Sequence, residues 1–322
     1  MLSARDLLLA GLVDYAGLFP PATLALGPAL DRYAADRAGA DAWLLGRFVI
    51  PVGALADVPA DRLDGDLPWR FSVLGHPPAE GETWLDAARR TLADARAFEA
   101  AHGGRAAVDR FELRLAPALA ADPDALAGAL AGLERDLVGD DDSREAPRVA
   151  LEVPVAADAV APAAEGVARA VREAGRPAFA LKLRCGGVTP DAIPPVEALA
   201  GALAAAVRAG AAVKATAGLH HPLRGMADVG GAPMHGFLNV FGGAALAARH
   251  GLGADDLAEV LDDGRPASWR LADDLAWRGL AADGADVARA RAGVALSFGS
   301  CSFDEPTDDL RALGWLDDGG AR

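Results

Sequence analysis

Two stretches, Ala178-Phe-Ala-Leu-Lys182-Leu-Arg-Cys185 and Ala211-Ala-Val-Lys214-Ala-Thr216, decide the fold. Each is a short apolar run whose polar residues fall on every second position. Side chains alternate along a strand, so Lys182 and Arg184 share one face, as do Lys214 and Thr216. Glu112 and Arg114 in Phe111-Glu-Leu-Arg-Leu115, and Glu152 in Leu151-Glu-Val153, repeat the pattern. Further strands are expected at Leu12–Gly17, Ala42–Pro51, Trp69–Leu74, Arg110–Ala116, Arg148–Val155 and Gly293–Phe298. Amphipathic stretches such as Glu82–Ala101, Asp122–Leu137, Ala163–Ala174 and Pro195–Arg208 lie between them. Strand centres recur every ~30–40 residues, the length of one βα unit. Eight strands alternating with helices predict a single (β/α)8 TIM-barrel domain over residues 1–322. An open doubly wound sheet is the competing fold, but Asp14-Tyr-Ala-Gly-Leu-Phe-Pro-Pro21 has no G-x-G-x-x-G after the first strand.

Composition narrows the function classes. Apolar residues make up 52% of the 322 positions and the net charge is −15. Such a chain can bury a large core, which excludes a disordered protein. A surplus of acid repels phosphate backbones and anionic membrane faces, so neither nucleic acid nor membrane is an expected partner. Two cysteines, Cys185 and Cys301, are too few for a disulfide framework. The start carries Asp6 and only a seven-residue apolar run, Leu7–Val13, so no secretory signal is expected, and no uncharged apolar run reaches the ~18 residues that suggest a membrane span. A cytoplasmic protein follows, with a homo-oligomer left open. The acidic stretch Gly139–Glu145 reads as a solvated turn between two units.

Lysine occurs only twice, at Lys182 and Lys214, among the 31 basic residues; all others are arginine. Arginine serves wherever charge alone is needed, but it cannot lose its proton at useful pH or act as an amine nucleophile. Both lysines stand in strands, on the face expected to point into the barrel near its C-terminal mouth. Isolated charges there are costly and must pair, neutralise or face a pocket. One reading is a structural ion-pair layer in which Glu112 and Glu152 neutralise the lysines. The other makes one lysine a nucleophile: burial and the second lysine push its pKa down, and the neutral amine attacks a carbonyl to form a Schiff base while a carboxylate moves protons.

The segments Phe179-Ala-Leu-Lys182-Leu-Arg-Cys-Gly-Gly187 and Val213-Lys214-Ala-Thr-Ala-Gly-Leu219 resemble the paired lysine strands of class I aldolases of the deoxyribose-phosphate aldolase type. Arg47-Phe-Val-Ile-Pro51 is similar to the end of that family's second strand. The resemblance implies a (β/α)8 barrel; no cofactor or metal is expected. It also implies Lys182 as Schiff-base nucleophile, Lys214 as the residue that lowers its pKa, and Glu112 and Asp14 as proton handlers. The chain departs from the family after strand seven, where the phosphate-binding glycines shrink to Ala217-Gly218 and His220-His221-Pro222 replaces a basic residue. Phe298-Gly-Ser300-Cys-Ser302 offers backbone N–H groups to an anion after strand eight.

The span Pro222–Arg291 is foreign to the regular βα alternation. It contains a glycine-rich loop, Gly225–Gly236, and three expected helices, and it is expected to cover the mouth. There it would bring His235 or Asn239, the single asparagine, towards the lysines. His220, His221 and His235 read as loop histidines bonded to backbone, as substrate contacts or acid–base groups, or as metal ligands without a recognised spacing. The candidate substrate-binding set is Arg47, Glu152, Arg184, His220, His221, His235, Asn239 and Ser300. The leading function is a Schiff-base lyase or aldolase acting on a small carbonyl or anionic metabolite. The alternatives are a barrel isomerase or metal-assisted lyase using the carboxylates and histidines, and a non-catalytic barrel that binds an anionic metabolite through Arg47, Arg184 and the lysines.

Overall fold

The computed structural model describes residues 2–63, 65, 67–138 and 146–317, so the acidic stretch 139–145 lies outside the described residues. Eight parallel strands form a closed barrel in sequence order: β1 (Val13–Tyr15), β2 (Leu45–Pro51), β3 (Trp69–Leu74), β4 (Ala106–Arg114), β5 (Arg148–Val153), β6 (Phe179–Arg184), β7 (Ala212–Thr216) and β8 (Ala295–Ser300). β8 closes on β1 with Val13 opposite Phe298, Asp14 opposite Gly299 and Tyr15 opposite Ser300. All eight expected strands are present. β8 runs later than expected because Gly293 still belongs to the preceding helix, and its register on β7 shifts between Ala295 and Phe298.

Outward strand residues make the main core. Tyr15, Tyr33, Phe48, Phe71 and Phe98 form a chain of ring contacts that seats the early helices on β1–β3. The segment Pro190–Ala209 is long and apolar enough to cross a membrane, yet its helix, Val196–Ala209, is a barrel helix with Leu199, Ala200, Ala202 and Leu203 fully buried.

Inward residues are mostly polar. At the N-terminal end Arg291 donates to Ala295 O at 2.6 Å and Ala10 O at 2.8 Å, beside a small apolar layer of Ala180, Ala212 and Leu296. Next come Arg47, Arg110, Ser297 and Asp14, and towards the mouth the lysines and glutamates. Burial pulls the Arg110 and Arg291 guanidinium pKa values down to about 10, with neighbouring arginines adding to the effect.

The segment 222–291 departs from its expected place. Its three helices exist, at Phe237–His250, Ala254–Asp262 and Gly284–Gly293, together with a small hairpin and a three-stranded antiparallel sheet over 269–282 that the sequence did not signal. Helix Phe237–His250 packs on β8 and on helix Val196–Ala209, as an outer barrel helix does. Phe237 stacks on the outward ring of Phe298 at 4.9 Å between centroids. The small sheet is tied to the helix preceding β1: Ala4 and Arg5 N–H groups donate to Asp273 and Ala272 carbonyls. Only the opening loop of this segment therefore stands at the mouth, because the apolar faces of the helices are drawn to the barrel wall.

Phe298 is fully buried between β8 and that helix. Phe298→Ala is expected to lower the unfolding free energy by about 3–5 kcal/mol, read from urea denaturation. A loss below about 1 kcal/mol would mean that this contact does not hold the segment to the wall.

Candidate active site

Strand register brings the polar residues together. Arg114 lies opposite Glu152, Glu152 opposite Lys182, Lys182 opposite Lys214, and Arg184 opposite Thr216. Lys182 Nζ sits 2.8 Å from Glu112 Oε2 and 2.9 Å from Glu152 Oε2. Lys214 Nζ lies 3.3 Å from Glu112 Oε1 and makes a short contact with Asp14 Oδ2. Glu112 thus serves two ammonium groups at once, and Ser72 Oγ donates to its Oε1 at 2.6 Å.

Asp14 is held from every side. The Arg47 N–H donates to Oδ1 at 2.9 Å, Ser297 Oγ to Oδ2 at 2.7 Å and Arg110 to Oδ2 at 3.3 Å. Gly46 makes room for it, since a Cβ there would meet Asp14 Oδ1 at 2.3 Å. Burial would raise the Asp14 pKa, but Lys214, Arg110 and Arg47 outweigh burial and hold the carboxyl well below the usual range.

Above this network opens a cavity of about 310 Å³ at the C-terminal strand ends. Glu112, Glu152, Lys182, Arg184, Thr216 and His220 line it; Lys214 and Asp14 do not. Side-chain exposure follows the same order: none for Lys214 and Asp14, 1% for Glu112, 6% for Lys182 and 20% for Glu152. Lys182 is the lysine that meets the cavity, and Lys214 stands behind it. The wall after β7 is strained, with Ala217 in the left-handed region at φ 59°. Gly218 follows at φ 69°, and a Cβ there would lie 2.8 Å from Gly186 Cα, so the two loops touch through backbone.

The expectation of a depressed lysine pKa fails at Lys182. Burial alone lowers it, but Glu112 and Glu152 outweigh burial and raise it above the ordinary value. Lys182 rests as an ammonium, and a neutral amine requires proton transfer to a carboxylate.

Several expected site residues serve the scaffold instead. Arg47 pairs with Asp109 at 2.5 Å and does not line the cavity. His235, fully buried, bonds Pro194 O through Nε2 at 2.8 Å. Asn239, equally buried, accepts from Arg224 N–H and donates to the Val260 and Asp263 carbonyls, knitting the mouth loop to the outer helices. Neither reaches the cavity, because the segment carrying them packs outside the barrel. His221 is held by Asp309 at 2.5 Å, and Ser300 Oγ lies 3.3 Å from His220 Nδ1 rather than on the cavity surface. Other lining residues lay outside the expected set, among them Arg114, Thr216 and the loop after β1. Arg114 was signalled by its alternation with Glu112; the loop after β1, with Phe19, Pro20 and Pro21, carried no local signal. Among the described residues no group of three or more His, Cys, Asp or Glu side chains is arranged to hold a metal ion. Burial pushes the Cys185 thiol up to about 12, as befits a packed side chain.

No protein-family model, curated protein sequence or solved structure matches the chain.

Glu112 has an ordinary pKa of 4.5. Burial would raise it, but Lys182 and Lys214 outweigh burial and bring it to about 2. Its ion pairs therefore stabilise the fold fully above the ordinary value, and that contribution is lost as pH falls from about 4.5 through about 2. Glu112→Gln is expected to lower stability at pH 7 by about 3–5 kcal/mol, because two buried ammonium groups lose their shared counter-ion. Its urea midpoint should also change less than that of the wild type across the acid window. Equal midpoints at pH 7 would remove Glu112 from this role.

Proposed function

We propose that the protein is a Schiff-base-forming carbon–carbon lyase of the aldolase kind, acting on a small carbonyl compound that carries an anionic group. The observation that carries this reading is the placement of Lys182: a lone amine at the cavity floor, with a carboxylate on each side and a second lysine behind. On substrate arrival Glu152, the more exposed carboxylate at 2.9 Å, accepts a proton from Lys182. The neutral amine adds to the carbonyl carbon, and loss of water leaves an iminium, which draws electrons from the neighbouring C–C bond. Glu112 stays ionised between the lysines and orients Lys182. Lys214 and Asp14 act through their field, without touching substrate. Arg184 lines the cavity and makes no ion pair or hydrogen bond through its side chain among the described residues, so it is free for a substrate anion. The cavity volume, about 310 Å³, suits a small metabolite.

The tight ion pairing of Lys182 favours a second reading, non-covalent anion binding by Lys182 and Arg184. Borohydride reduction in the presence of a panel of small carbonyl acids separates the two. The Schiff-base reading expects covalent mass on a peptide containing Lys182. Lys182→Arg should fold, trap nothing and lose turnover by several orders of magnitude, since a guanidinium keeps the charge and cannot add to a carbonyl. Lys214→Arg should retain more activity, with a shifted pH profile. Mass on Lys214 reverses the assignment, and binding without trapping establishes the second reading.

A further inference from the structure

We propose that His220, positioned by Glu305 in a His–Glu dyad, is a catalytic base that takes the proton from the hydroxyl group on the carbon released in the cleavage. The assignment rests on the Schiff-base reading above and adds to it a second acid–base group, in the wall after β7 and beside β8.

His220 lines the cavity, and among the described residues every polar contact of its ring runs through Nδ1. That nitrogen lies 3.0 Å from Glu305 Oε2, 3.3 Å from Ser300 Oγ and 3.9 Å from Cys301 Sγ. A nitrogen lone pair 3.0 Å from a carboxylate oxygen would be repelled, so Nδ1 carries the proton on the side of Glu305. Nε2 is then the basic nitrogen, on a ring that faces the cavity. Glu305 belongs to the first turn of helix Asp304–Ala312, where its N–H is anchored by Ser302 Oγ at 3.2 Å, so the orienting carboxylate has a fixed origin. Burial lowers the His220 pKa, Glu305 opposes this and His221 adds to it; the net direction is downward, which keeps the imidazole neutral and able to accept a proton near pH 7. His221 is occupied by Asp309 and cannot replace it.

The same wall argues for a hydroxyl rather than an anion at this position. Glu305, in the first turn of the helix after β8, sets a negative charge beside His220 that disfavours a phosphate or carboxylate there, while Asp304 is paired with Arg32. The anionic end of the substrate is left to Arg184 on β6.

The step balances without a co-reactant. In the iminium of a 4-hydroxy-2-oxo acid on Lys182, Nε2 of His220 removes the proton of the 4-hydroxyl. The O–H electron pair becomes the second bond of the departing aldehyde, and the bond between carbons 3 and 4 breaks. Its electrons form the enamine double bond, and the iminium nitrogen becomes neutral. Protonation of carbon 3 and addition of water then release the 2-oxo acid and regenerate the amine.

The test uses 4-hydroxy-2-oxobutanoate as the cleavable probe and pyruvate as the trapping probe. Pyruvate trapping by borohydride needs Lys182 but no hydroxyl proton. His220→Gln should therefore trap pyruvate within about twofold of wild type while cleaving the hydroxy acid about 10²-fold more slowly. Glu305→Gln should slow cleavage about tenfold through kcat, with Glu305→Asp recovering part of the loss. Two-bond 1H–15N spectra should show His220 protonated on Nδ1 in wild type, with that preference reduced in Glu305→Gln. Cleavage unchanged in His220→Gln, or trapping and cleavage lost together, would overturn the dyad. If the wild type traps nothing, the Schiff-base reading fails first, and a catalytic His220 on that route fails with it; a His220 ring protonated on Nε2 overturns the dyad whatever the trapping shows.

Discussion

One carboxylate, that of Glu112, has to satisfy two buried ammonium groups, and the upper half of the barrel is arranged around that requirement. Removing charge from water is costly unless opposite charges and hydrogen bonds replace the water. Here the compensation runs in sequence through the barrel: Asp14 holds Lys214, Glu112 bridges Lys214 and Lys182, and Glu152 completes the second pair at the cavity. Asp14, Glu112 and Lys182 owe their charge state to these neighbours rather than to burial.

The lower barrel offers an internal comparison. There Arg47, Arg110 and Arg291 supply the buried positive charge, bonded to Asp109, Asp14, Ser297 and backbone carbonyls. Arginine is thus used for buried structural pairing within a few layers of the lysines. A layer that needed only positive charge could have been built the same way. Lys182 instead stands at the cavity, with Lys214 directly behind it, where a removable proton and a small nucleophile have a use that a guanidinium lacks. This contrast supports lysine chemistry over a purely structural ion layer.

Much of the barrel was legible because a period of two is a strong signal when the remaining positions are apolar. That period identified the inward faces of β4 to β7, and with them Glu112, Glu152, Lys182, Lys214 and Arg184. Rarity was a poorer guide. Asn239 is the single asparagine, yet it caps backbone inside the scaffold, because a residue type can be scarce for structural as well as chemical reasons. His235 failed for a related reason: its neighbourhood in sequence is the mouth loop, but its ring is claimed by the Pro194 carbonyl. The Lys182 charge state could not be read from strands alone, since its direction depends on two carboxylates at 2.8 and 2.9 Å rather than on burial. Glu305 had no signal; it reaches His220 from a helix 85 positions along the chain, and only closure of the barrel brings the two together.

The short contact between Lys214 and Asp14 joins residues 200 positions apart. A ribosome adding ~5–20 residues per second makes Asp14 some 10–40 s before its partner exists. Arg291, which seals the N-terminal end, and Ser297 on β8 follow later still. Arg47 and Arg110 supply counter-charge to Asp14 earlier in synthesis, but its contacts with Lys214 and Ser297 wait for the last two strands. The full set of contacts around Asp14 therefore closes only once β8 has been made.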